Sequence, residues 1–424
     1  MTTARVTSEV GRLRQVLVHE PGPEVDRMVP SMMEELLFDD ILFGDAAREE
    51  HRRFQRVLQL LGVEVLEMET LLQETLRSEE GCRWILDPLL EVTPKPLRER
   101  MQGATPEKLA AMLVHGVRLD PLHAGIEADD LFEVPPLPNL CFQRDPQAII
   151  GSRVIISSMA TPARWREALL AGAIFRFHPR LSRIPILLDP MAPGTRPIHL
   201  GPRRPQFEGG DVLVLSPDVV ALGYSERTNR TGVHHLARVL ARLEGGPRWL
   251  VVVKLPARRA YMHLDTVITP VNRDACLVYP PITMRGGSDA AHVFEIDLHS
   301  EERAPVERDD LLAVLAKRGV DLKPIPCGGS DPVVQQREQW TDGANAFAVA
   351  PGMILLYERN PSTAEQLDRE GFRIVRAEDL LLGREQVDVG QGERAGSLLP
   401  SHEMSRARGG PHGRTQPLLR DEVT

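Results

Sequence analysis

The chain has 424 residues, of which 42% are hydrophobic, and a formal net charge of -9. That length predicts one large domain with an insertion, or two domains. The acidic balance argues against nucleic acid as the main partner, and no apolar run reaches the length of a membrane span.

A unit of apolar strand, tight turn, second strand and amphipathic helix recurs along the chain. A weak copy covers 16–61. From about 71 to 131 the texture is helical, as in Leu109-Ala110-Ala111-Met112-Leu113-Val114, until the breaker Pro135-Pro136-Leu137-Pro138. This predicts a helical insertion over 71–131 in a larger domain formed by 1–70 and 132–424. The unit is clear at 148–156, where Gly151-Ser152-Arg153 is the turn and Thr161-Pro162 opens the helix, since proline suits the first helical turn. It recurs at 212–222 around Ser216-Pro217-Asp218, followed by a helix through 234–240, and weakly at 266–278. A last copy spans 347–357 around Pro351-Gly352, with a helix opened by Ser362 and a capping box to Glu365. About five units suggest a pseudo-symmetric α/β array; an ordinary mixed sheet is the alternative.

Four motifs fall at predicted strand ends, the fourth being the Gly-rich tail that ends at Gly413. In Met262-His263-Leu264-Asp265-Thr266, a strand would put His263 and Asp265 on one face, where a histidine beside a carboxylate could move protons. A half-buried histidine satisfied by a neighbour is the plainer reading. Glu208-Gly209-Gly210-Asp211 sets two acids around a turn that permits close backbone approach, or is a solvated hairpin. Asp145, in Asn139-Leu140-Cys141-Phe142-Gln143-Arg144-Asp145, is either half of a surface ion pair or an acceptor for the parallel N–H bonds of a guanidinium. Arg164 and Arg227 sit at matching places after second strands, where forked hydrogen bonds could hold a carboxylate. Cys82, Cys141, Cys276 and Cys327 lack pairwise or metal-like spacing, and 1–6 lacks a signal-peptide run, so a cytoplasmic protein without structural zinc is expected. An RGG-type reading of Arg406-Ala407-Arg408-Gly409-Gly410 is weak, for want of copies and interleaved aromatics in an acidic chain.

Together with Leu36-Leu37-Phe38-Asp39-Asp40, Arg337-Glu338-Gln339-Trp340, Asp342-Gly343-Ala344-Asn345 and the tail 405–413, these motifs resemble the arginine deiminases of the guanidine-modifying superfamily. The resemblance covers essentially the whole chain and implies a five-bladed pseudo-symmetric α/β propeller with a small helical insertion. It implies that Asp145 and Asp265 grip a guanidinium and that Glu208 and His263 are the acid–base groups. Arg164, Arg227 and Asn139 would hold the α-carboxylate, and Phe142 would pack on the aliphatic stem. Arg408 and His412 would flank the nucleophile, and Asp211 would be the second acid of the glycine turn. The family reaction hydrolyses arginine to citrulline and ammonia through a cysteine thiolate, without metal or cofactor. Here the cysteine position is Gly413, and the following apolar segment reads Arg414-Thr415-Gln416-Pro417-Leu418. The expectation is a protein that recognises arginine or a related guanidino compound without the family's nucleophile. The alternative is a catalytically inactive relative with a sensor or partner role, and a homo-oligomer is left open.

Overall fold

A computed structural model describes residues 4–91, 93–119, 131–190, 192, 204–390 and 392–423. Five sheets repeat one plan: an antiparallel strand pair with a third strand added in parallel. In the first, Leu13–Val18 lies between Glu64–Glu67, parallel, and Gln416–Arg420, antiparallel, so the two ends of the chain share a sheet. The second joins Gln147–Ile150, Arg153–Ile156 and Ile186–Leu188. The third joins Val212–Ser216, Val219–Tyr224 and Trp249–Lys254, widened by His292–Asp297 and Val306–Arg308. Ile268–Asn272, Ala275–Val278 and Lys323–Pro326 form the fourth. Phe347–Ala350, Met353–Tyr357, Ala395–Leu399 and Arg373–Arg376 form the fifth. This is the expected five-bladed α/β propeller.

The strands read as apolar runs because helices cover them. Gln147–Ile150, Ala275–Val278 and Met353–Tyr357 are buried along their whole length, as in sheets packed on both faces. Gly151 and Gly352 supply the left-handed backbone of two hairpin turns, with φ of 60° and 79°. Four helices, Met68–Leu76, Glu79–Leu90, Lys95–Gln102 and Pro106–Val114, occupy the stretch read as helical. Their Leu72, Ile85 and Leu113 share one apolar cluster with Ile155 and with Leu169 of helix Trp165–Phe177. The end of the predicted insertion, 120–130, lies outside the described residues. Among the described residues no helix is long and apolar enough to cross a membrane.

Two local expectations are corrected. Ser362 does not cap its helix, which begins at Pro361; its amide and that of Thr363 donate to the Glu338 carboxylate at 2.8 and 2.7 Å. A carboxylate from a neighbouring helix thus satisfies the free helix-start amides that a capping box would take. Asp265 is not on a strand with His263: His263 is extended, but Leu264–Thr266 is a 3-10 turn. Cys141 lies in the 3-10 turn Pro138–Cys141. It is buried with its sulfur 3.4 Å from Pro138 O, and burial pushes its thiol pKa up, the state of a packing residue.

Candidate functional site

Sheet ends and turns bring the predicted residues together. Asn139, Phe142, Asp145, Arg164, Arg227, His263, Asp265, Arg408 and Gly413 line one cavity of about 30 Å³. Glu208 and Asp211 are fully buried behind it. The glycines between these two acids are required by contact. A side chain on Gly209 would collide with the carbonyls of Arg144 and Gln147, and one on Gly210 would meet His263 Nδ1 at 2.7 Å.

Glu208 Oε2 lies 2.9 Å from His263 Nε2, and Asp145 Oδ1 lies 3.7 Å from His263 Nδ1. Burial alone would lower the His263 pKa. The charge of Asp145 and the bond to Glu208 outweigh it and hold the ring cationic, with a pKa of about 9. Glu208 is the mirror case: burial opposes its ionisation, but Arg227, His263 and Arg164 bring it to about 2. Asp211 accepts from Ser225 Oγ and Thr228 Oγ1, each at 2.6 Å, and from the Leu264 amide at 2.9 Å. It therefore pins the turn that carries His263 and Asp265, and burial raises its pKa to about 6.

The two matched arginines differ. Arg164 is engaged on both edges, by a fork to Glu167 at 3.0 and 2.8 Å and by Asp145 Oδ2 at 2.9 Å. Arg227 keeps a buried Nη1 with no hydrogen bond among the described residues, 3.8 Å from Glu208. Asn139 Nδ2 donates to Leu36 O at 2.6 Å, which fixes the segment bearing Leu37 on the cavity wall. Arg408 has left-handed backbone (φ 59°), stacks 3.5 Å above Trp340, and its Nε and Nη1 have no hydrogen bond among the described residues. Phe142 fills the space a side chain on Gly409 would need.

Gly413 is held from both sides: its amide donates to Asn345 Oδ1 at 3.0 Å and its carbonyl accepts from the Arg144 amide at 3.1 Å. Beside it, His412 bridges Asp265 Oδ2 at 2.9 Å and Glu9 Oε2 at 3.1 Å. Asn345, Glu167 and Glu9 thus shape the site without having been assigned roles from sequence. Glu167 stands three residues after Arg164, a helical spacing that could have revealed it; Glu9 left no such signal. Donor atoms of Asp145, Glu208 and His263 lie within 4.8 Å of one another, a spacing that could hold a metal ion. Arg164 and Arg227, 3.7 and 3.8 Å from Glu208, oppose a further cation there.

A model of the arginine deiminase family matches residues 34–420. The chain is 33% identical over 441 residues to an arginine deiminase of Clostridium perfringens, covering 99% of this chain and 98% of that protein. The chain belongs to the arginine deiminase family. A second such enzyme, from Bacillus cytotoxicus, is 32% identical over 439 residues at the same coverage. Among solved structures, the SxtG amidinotransferase of Microseira wollei superposes with a TM-score of 0.54 at 14% identity, covering 99% of this chain and 98% of that one. The N-terminal domain of the cyanobacterial arginine dihydrolase ArgZ gives 0.51 at 14% identity, covering 97% and 99%. At such identities the two structures share the fold.

Proposed function

We propose that this cavity binds arginine or a closely related guanidino compound, and that Gly413 removes the covalent route to citrulline and ammonia. The observation that carries the reading is a pair of half-used carboxylates. Asp145 spends Oδ2 on Arg164 and Asp265 spends Oδ2 on His412, while Oδ1 of each has no hydrogen bond among the described residues. Two such oxygens suit the flat N–H fork of a guanidinium, and the free Nη1 of Arg227 suits a carboxylate at the other end of the ligand. As it stands the cavity has room for roughly one water. Leu37 and Ala407 lie on its wall, and the neighbouring Asp40 and Asp39 pair with Arg406 at 2.6 Å and Arg259 at 3.1 Å.

A guanidinium resists attack because resonance spreads its charge, so its hydrolysis benefits from a covalent step that glycine cannot supply. The retained His263–Glu208 pair favours a second reading, slow hydrolysis by water with His263 as proton carrier. Purified protein given arginine, with thermal shift, citrulline and ammonia followed together, separates the two. A shift without citrulline supports a binder with a sensor or partner role. Citrulline above the level of a His263→Ala control supports hydrolysis. Absence of both removes arginine as the ligand.

A further inference from the structure

Away from the candidate site, beside the start of helix Pro361–Arg369, lies a groove of about 870 Å³. Its walls carry Arg337, Arg359, Arg376 and His402 against two carboxylates, Glu338 and Glu358. Glu338 is used up: it accepts from the Ser362 and Thr363 amides and from Thr363 Oγ1 at 2.6 Å. Glu358 is divided between His402 at 3.5 Å and Arg376 at 3.9 Å. Arg337 makes no ion pair among the described residues, and the side-chain bond of Arg359 goes to a neutral group, Ser405 Oγ, at 2.8 Å. Several exposed arginines elsewhere on the surface end on carboxylates, as in Arg14–Asp421 at 2.6 Å, Arg248–Asp297 at 3.0 Å and Arg373–Glu393 at 2.7 Å.

A chain of net charge -9 here presents a concave patch in which three guanidinium groups outnumber two carboxylates, and Arg337 and Arg359 form no ion pair among the described residues. Concave walls concentrate the field of like charges, and guanidinium forks match the paired oxygens of a phosphate. The volume lies in the range of small-molecule sites and exceeds what a single inorganic ion fills. We propose that this groove binds a small anion bearing two or more phosphate charges, with Arg337 and Arg359 as its ligands. An occupant would touch the cavity wall through few bonds, since Ser405 lies in the 3-10 turn Met404–Ala407 that leads directly to Arg408 and Gly409.

Calorimetric titration of the full chain with inorganic pyrophosphate at constant ionic strength tests this. Expected is saturable binding with Kd on the order of 1 mM or tighter, weaker for orthophosphate and weakened about tenfold or more by Arg337→Ala with Arg359→Ala. Arg337→Glu alone, at an exposed position with no partner to lose, must also abolish it, which guards against a folding defect in the double variant. No saturable heat, or equal affinity in the variants, overturns the proposal. Neither outcome depends on whether the other cavity binds arginine.

Discussion

Gly413→Cys isolates what the sulfur alone contributes. A Cβ built at this position meets nothing nearer than Gly410 O at 3.7 Å, with Asn345 Oδ1 and Gly409 Cα at 3.9 Å, all ordinary contact. The backbone is not left-handed there, so a side chain brings no strain, and the amide keeps its bond to Asn345. Restricting the unfolded chain at a compatible glycine stabilises by roughly 0.4–1 kcal/mol, so the variant should fold with stability within about 1 kcal/mol of the parent. The new thiol would lie in the cavity that holds the His263 cation, surroundings that favour a thiolate. Deleting a nucleophile has cost another enzyme on the order of 10⁶ in turnover. Supplying one should raise citrulline formation at least ~10³-fold over the parent, with a covalent adduct visible by intact mass. A Gly413→Cys protein that folds and is stabilised by arginine, yet makes no citrulline above the parent and no adduct, would refute the claim that the thiol is the missing part.

Gly409→Ala gives the steric contrast. Its Cβ falls on the edge of the Phe142 ring, so overpacking should cost about 1–3 kcal/mol, and a Tm within a degree of the parent would contradict the close approach. Arg414 is fully buried and donates to Tyr357 Oη at 2.6 Å, Gly409 O at 3.1 Å and Met404 O at 2.6 Å. Arg414→Met should cost roughly 1–3 kcal/mol and speed hydrogen exchange over 404–409; a higher Tm would mean that burying the cation costs more than its bonds return. The pKa of His263 is raised from 6.5 to about 9, so the stability it contributes is complete below pH 6.5 and lost as pH rises through 9. Counted once for the pair with Glu208, this is ~3 kcal/mol. Urea melts between pH 6.5 and 9.5 should show that decline in the parent and a flatter profile in His263→Gln, and equal slopes would show that the pair is not the source.

The strands and the order of the motifs were legible because their signals are local. Runs such as Val219–Tyr224 must be buried wherever they lie, and Gly151 and Gly352 mark turns by the backbone they permit. The two glycines between Glu208 and Asp211 could be read as points of close approach, and they are. What touches these motifs was not local. Ser362 looked like a cap, but Glu338 arrives from another helix to take the amides. Arg164 and Arg227 look alike as sequence, yet Glu167 and Asp145 occupy the first while the second keeps a free donor.

By itself the sequence determined the repeating units, the family and the glycine at 413, since each depends on residue identity and spacing along the chain. Only the tertiary structure decided that Glu9, at the opposite end of the chain, braces His412 beside that glycine, and which carboxylate oxygens are spent and which are left. The reason is physical: a buried charge is set by whatever groups folding places within a few ångströms of it, and neighbours hundreds of residues apart leave no mark on one another's local sequence.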